Sequence, residues 1–148
     1  MRVEKDFKEF IALLNKNNVH YLIVGGYAYS YYAEPRFTKD IDIFIETSAQ
    51  NAYNLMASLE EFGFKDVGLT AADFLESGKT IQLGQAPIRI DIITSIDGVL
   101  FDEAWQNRTE GTFGDIPAYF ISKQDLLKNK KAAARLQDLA DIEKLDKI

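Results

Sequence analysis

Two short stretches of this chain alternate in a way that a β-strand with two unlike faces explains. In Asp40-Ile41-Asp42-Ile43-Phe44-Ile45-Glu46, the two aspartates stand two residues apart and share one face, while Ile41 and Ile43 take the other. In Pro87-Ile88-Arg89-Ile90-Asp91-Ile92-Ile93, Arg89 and Asp91 share one face and Ile88, Ile90 and Ile92 the other. An isoleucine face has to be covered, so these strands require helices packed on their sheet. A core strand that sets one acid among isoleucines also needs a chemical reason for it.

The rest of the chain supplies the cover. Phe7, Phe10, Ile11 and Leu14 fall at helical spacing, and Asn17-Asn18 ends that helix. Tyr21–Val24 reads as a buried strand running into a tight Gly25-Gly26 turn, and Tyr27–Ala33 as a brief helix stopped by Pro35. Thr47 or Ser48 caps a helix whose stripe is Ala52, Leu55, Met56, Leu59 and Phe62, and Gly63 stops it. Beyond Phe64–Val67 come a helical turn over Thr70–Glu76 and strands at Thr80–Leu83 and Ile88–Ile93, joined through Gly84–Pro87. Val99–Gln106 reads as helix and Ile116–Phe120 as strand. From Ser122 the chain is helical, with Leu136, Leu139, Ile142 and Leu145 on one face. The order predicts an α/β (α+β) fold: a small mixed β-sheet with helices packed against it and a helical C-terminal tail. At 148 residues one domain is expected, residues 1–148, with a core over about 20–121 and a helical segment over 122–148.

Composition narrows the chemistry. The chain has no cysteine and one histidine, which leaves no thiolate zinc site, cysteine nucleophile or histidine-rich metal site. A net charge of −6 weighs against a dedicated duplex-DNA binder, whose affinity rests on neutralising phosphates. No apolar run is long enough to span a membrane, and the charged start MRVEKDFKEF lacks the apolar core of a signal peptide. A cytoplasmic location is expected.

The chemistry concentrates in GGYAYSYYAEPRFTKDIDIF, where thirteen residues separate Gly25-Gly26 from Asp40. Asp40 and Asp42, with Cβ atoms roughly 7 Å apart, can converge on one divalent cation or on a pair about 4 Å apart. Two carboxylates this close repel, and a cation removes that cost. Glycines at a strand–helix turn let backbone N–H groups approach a phosphate. Each feature alone has a plainer explanation: acids keep an edge strand soluble, Gly-Gly marks tight geometry, and Arg89–Asp91 makes a surface ion pair. If the Asp91 strand lies beside the Asp40–Asp42 strand, a three-carboxylate site results.

This pattern of Gly-Gly, thirteen residues, Asp-hydrophobic-Asp and a later hydrophobic-Asp-hydrophobic strand resembles the DNA polymerase β-type nucleotidyltransferase superfamily. More narrowly, IQLG–APIRIDIITSIDGVLFDEAW and ISKQDLLKNKKAAARLQDLADIEKL resemble small bacterial abortive-infection and antitoxin-type nucleotidyltransferases, over about residues 20 to 145. The resemblance implies that Gly25 and Gly26 hold nucleotide phosphates. It implies that Asp40 and Asp42 bind magnesium, with manganese as an alternative. It makes Asp91 a ligand of the metal that activates the acceptor hydroxyl. Arg36, Arg89 and Lys130 are then candidates for the triphosphate, against solvated charges or, for Arg89, an ion pair with Asp91. Lys131 and Arg135 are expected to share a helical face, although Ala134 stands where that family is expected to carry glycine, which leaves the role of Arg135 open. Tyr27, Tyr29, Tyr31 and Tyr32 are explained most cheaply by packing, and Asp138 and Asp141 by pairing with basic neighbours.

Two functions follow. The first is a Mg²⁺-dependent (two-ion) enzyme that transfers a nucleoside monophosphate from a nucleoside triphosphate to an acceptor hydroxyl of RNA, tRNA, a protein or a small molecule. The second is an antitoxin-like or regulatory module that keeps the fold and works through a partner protein. A glycosyltransferase with a metal-binding Asp-x-Asp needs a larger nucleotide-sugar domain and leaves Asp91 unexplained.

Overall fold

The computed structural model describes residues 4–64, 67–85 and 87–147. The chain opens with α1 (Lys5–Lys16), which buries Phe7, Phe10, Ile11 and Leu14. The fully buried strand β1 (Tyr21–Val24) runs directly into α2 (Gly25–Tyr32). Strand β2 (Asp40–Ile45) leads to α3 (Ala49–Phe62). The Ser48 hydroxyl accepts the Asn51 N–H at the start of α3, and Gly63 ends it in a left-handed conformation. A 3-10 turn (Ala71–Phe74) precedes β3 (Thr80–Gln85) and β4 (Ile88–Ile93). Helix α4 (Phe101–Gln106), strands β5 (Thr109–Phe113) and β6 (Ile116–Phe120), and helices α5 (Lys123–Ala133) and α6 (Leu136–Leu145) complete the order.

Among the described residues the sheet is six-stranded, in the order β3-β4-β2-β1-β6-β5. The pairs β2–β4 and β1–β6 are parallel, and β1–β2, β3–β4 and β5–β6 antiparallel. One side carries Ile41, Ile43, Ile45, Ile90 and Ile92 and is covered by the apolar faces of α1 and α3. The other carries Leu22, Val24 and Phe44, packed with Ala104 of α4, Leu126 of α5 and Leu145 of α6. Strand alternation therefore sets Asp40, Asp42 and Asp91 on the α5–α6 side.

The architecture is the mixed α/β one expected, with local differences. Helix α2 starts at Gly25, two residues earlier than expected. Strand β3 continues through Gly84 to Gln85, so the expected Gly84–Pro87 loop is shorter, and its Ala86 lies outside the described residues. Phe64–Val67 falls partly outside them as well. Val99 bridges back to Ile96, and the helix there starts only at Phe101. Strand β5 was not expected, because Thr-Glu-Gly-Thr-Phe buries only Phe113 and shows no apolar alternation. Its Gly111 is required by packing: a Cβ there would lie 2.3 Å from the Tyr31 hydroxyl.

The tail divides into two helices, with the turn between them at Ala134, whose φ of 50° is the left-handed conformation that suits glycine. Lys131 lies in α5 and Arg135 in the turn before α6, so the two do not share the helical face expected of them. Of the expected α6 stripe only Leu145 is buried; Leu136 is 88% exposed and Leu139 53% exposed, while Asp138 and Asp141 point inward.

Candidate active site

Three strands bring the acids and glycines together. Val24, the last residue of β1, pairs with Asp42 of β2, and Asp42 pairs with Asp91 of β4. The strand adjacency expected for Asp91 is thus present, with the two carboxylates side by side. Gly25 follows with φ +67°, and a Cβ there would lie 2.1 Å from Asp42 Oδ2. A Cβ on Gly26 would lie 2.8 Å from Thr38 Cγ2. Both glycines are needed to let the β2 strand and the loop before it close against the first turn of α2. The helix starts from Val24, whose apolar side chain makes no cap hydrogen bond to its first turn.

The electrostatics are unbalanced. Burial, the charges of Asp91 and Asp40, and contact with the Asp91 carboxylate push the Asp42 carboxyl up to about 7, and Arg89 only partly offsets this. Arg89 donates from Nε and from a terminal nitrogen to the two oxygens of Asp91, both at 3.0 Å. Its other terminal nitrogen is 3.6 Å from Asp40. The ion pair weighed as a plain alternative for Arg89 and Asp91 is therefore formed, and it reaches Asp40 as well. Among the described residues no three acidic or histidine side chains converge as metal ligands, so the expected three-carboxylate cluster is not gathered. The donor chemistry nevertheless fits a hard divalent cation. Three carboxylates share one face, and one of them, crowded by the others, binds a proton near neutral pH.

The other candidate cations lie in a second cluster. Lys130, 6% exposed, donates to Asp141 at 2.8 Å and lies 3.5 Å from Asp138. Arg36, from the loop before β2, donates to the other oxygen of Asp141 and stacks 3.7 Å above the Tyr29 ring. Arg135 forks onto Asp138 from Nε at 2.7 Å, and Gln137 donates to Asp141 at 2.9 Å. Neither Arg36 nor Lys130 is a solvated charge, and the expected pairing of Asp138 and Asp141 with basic residues is present. Burial alone would raise both acids, but hydrogen bonds from Arg135 to Asp138, and from Lys130, Arg36 and Gln137 to Asp141, hold them below the usual carboxylate range.

All four tyrosines of α2 pack against other side chains or the main chain. Tyr27 packs between Phe7 and Phe113, and Tyr31 stacks on Phe120. The Tyr32 hydroxyl donates to the Ile121 carbonyl. Tyr29 is buried beneath Arg36.

Solved structures share this fold. A lincosamide antibiotic adenylyltransferase, LnuA, bound to lincomycin, superposes with a TM-score of 0.62 at 20% identity, covering 97% of this chain and 96% of that one. ANT(2")-Ia in complex with adenylyl-2"-tobramycin gives 0.61 at 15% identity, over 95% and 86% of the two chains. An antigenic nucleotidyltransferase-like protein from Paracoccidioides brasiliensis gives 0.57 at 16% identity, over 97% and 77%. No curated protein matches the sequence. A family model described as "Nucleotidyltransferase of unknown function (DUF6036)" matches residues 2–147, and the chain belongs to that nucleotidyltransferase family.

Proposed function

We propose that the protein transfers a nucleoside monophosphate from a nucleoside triphosphate to an acceptor hydroxyl, releasing pyrophosphate, with Asp40, Asp42 and Asp91 as its catalytic acids. The observation that carries this reading is the register that sets Asp42 between Asp91 and the Val24–Gly25 turn. It joins a site of unbalanced negative charge to the start of a helix, the two surroundings that a metal–triphosphate requires.

Asp40, Asp42 and Asp91 would hold magnesium, or manganese, which supplies charge neutralisation at the entering and leaving oxygens when bound. The N–H groups at Gly25 and Gly26 would receive the phosphates and orient the α-phosphorus. Asp91, beside Asp42, would take up the proton of the attacking hydroxyl. Arg89, forked on Asp91 and close to Asp40, would supply positive charge to the phosphates at the edge of the same face. Arg36 and Lys130 would face the triphosphate from the tail side. The bond formed joins the acceptor oxygen to the α-phosphorus, and the bond broken is that to the bridging oxygen of pyrophosphate.

The acceptor class is the finer question. Lincomycin and adenylyl-2"-tobramycin in the neighbouring structures favour a small hydroxylated molecule over RNA or a protein. The partner-dependent reading draws on the outward-facing Leu136 and Leu139 of α6 and, separately, on the exposed Phe37. The cytoplasm is the location proposed; among the described residues no helix is long and apolar enough to cross a membrane.

The test is nucleotide-dependent stabilisation. Millimolar Mg²⁺ with a nucleoside triphosphate should raise Tm, and the rise should disappear in Asp40→Asn/Asp42→Asn. Transfer by Asp42→Asn to any acceptor found should fall by about a thousandfold, roughly 4 kcal/mol of transition-state stabilisation. Absence of any shift with the four common triphosphates would instead favour the partner-dependent module.

A further inference from the structure

Helix α6 departs from hydrophobic patterning over its first six residues, although Leu145 near its end is buried. It presents Leu136 and Leu139 to solvent and turns Asp138 and Asp141, 1% and 2% exposed, toward the protein. Burying two carboxylates in place of two leucines is costly unless their partners matter, since apolar packing docks a helix at least as well. The partners come from three places: Lys130 from α5, Arg135 from the α5–α6 turn, and Arg36 from the loop that leads into Asp40. Three cations meet two acids within the cluster, with Asp97 acting on Arg135 and Glu34 near Arg36 at its margin. It lies on the same side of the sheet as Asp40, Asp42 and Asp91, and Arg135 stands within electrostatic reach of Asp42.

Asp141 is the hub. One of its oxygens accepts from Lys130 and the other from both Arg36 and Gln137. Arg36 is further clamped by the Tyr29 ring beneath it. Two cations that start 94 residues apart in the chain, at positions 36 and 130, are thus held on one carboxylate. Arg36 precedes Asp40 by four residues, and Lys130 is tied to the same carboxylate, so Asp141 fixes where both charges stand on the acid face's side of the sheet.

We propose that Asp141 is a positioning residue that holds Arg36 and Lys130 off the acid face and aims their charge at a bound triphosphate, making α6 part of the nucleotide site. This rests on the nucleotidyl-transfer reading and deepens it. Lys130 and Arg36 are the groups that would touch phosphate; Asp141 acts only through them.

The experiment compares the full-length wild type with Asp141→Asn, Asp141→Glu and Leu145→Ala. Leu145→Ala loosens the same helix by removing a buried apolar contact and touches no ion. Folding of each is checked by circular dichroism. Affinity for Mg²⁺ with each of the four common nucleoside triphosphates is then measured by calorimetry, at a temperature where all are folded. Asp141→Asn should weaken triphosphate binding at least tenfold. Asp141→Glu, which keeps the charge but displaces it by one methylene, should weaken it three- to tenfold, and Leu145→Ala less than threefold. Equal affinity of wild type and Asp141→Asn would overturn the assignment, and so would equal weakening by Asp141→Asn and Leu145→Ala, which would make α6 a purely structural cover. If Asp141→Asn does not fold, unchanged affinity in Asp141→Glu overturns it alone. A wild type that binds no nucleotide brings down the transfer reading and this inference together.

Discussion

The acid face of β2 and β4 and the ion cluster of α5 and α6 lie on the same side of the sheet, and their charges are arranged in opposite ways. On the strands, Arg89 pairs with Asp91 and Asp40 and leaves Asp42, among the described residues, without an ion pair of its own, pushed up to about 7 by burial and by its acidic neighbours. On the tail, two carboxylates are surrounded by three cations and held below their ordinary value. The first arrangement is destabilising as it stands and would be relieved by a ligand that brings positive charge. The second is satisfied without a ligand and fixes geometry. On the proposed transfer reading, a metal–nucleotide site would need both: a region left electrostatically unfinished and a frame around it that does not collapse to finish it.

Substitutions should therefore act with opposite signs in the two regions. The largest effect is expected at Lys130. Replacing it by methionine keeps the bulk but leaves Asp138 and Asp141 short of a buried partner, and should cost about 3–5 kcal/mol of folding free energy in denaturant titration. A cost below about 1 kcal/mol would remove the tail as a frame.

Asp42→Asn should do the reverse. Its carboxyl binds a proton more tightly in the folded than in the unfolded chain, where the ordinary value is 3.8. In the metal-free protein its contribution to stability thus falls as pH rises from about 4 to 7 and is level above that. The asparagine variant should be more stable than wild type by about 1–2 kcal/mol at pH 7.5 and indistinguishable from it near pH 4. The tail acids titrate in the other direction: with folded values below 3.8, their stabilisation is present above about pH 4 and is lost as pH falls further. A pH–Tm profile of Asp42→Asn that runs parallel to wild type from pH 4 to 7 would contradict this account of the acid face.

The smallest change sharpens the frame. Ala134 sits at φ 50° and ψ 32°, where an L-residue is strained and glycine is not. Ala134→Gly should raise stability by about 0.5–1 kcal/mol, read as a Tm increase of a few degrees, because relief of strain exceeds the added chain entropy. A decrease would mean that the turn is not strained.

How much of this was readable beforehand differs between the same two regions. The acid face was readable because alternation along a strand is local: Asp40 and Asp42, or Arg89 and Asp91, share a face whatever surrounds them. Strand adjacency was a conditional step, since parallel strands are joined by long crossovers that leave no sequence signal of register. The glycine pair was read as phosphate-accommodating, while its visible steric cause is the Asp42 and Thr38 side chains. The tail misled for a physical reason. A leucine stripe at helical spacing signals a buried face only when apolar burial dominates docking, and here ion pairs do. Arg36 and Asp141 are 105 residues apart, and a single chain carries no local trace of such a partnership.

The sequence by itself determined what depends on near neighbours: the periods of strands and helices, the shared face of Asp40 and Asp42, the stops at Asn17, Gly63 and Pro35, and the absence of thiol chemistry. Only the tertiary structure decided what depends on approach through space: Asp91 beside Asp42, Arg89 forked across two strands, and α6 turned with its acids inward. Side-chain direction along an element is set by backbone geometry within a few residues. Charge pairing is set by distance and burial, and both exist only after the chain has folded.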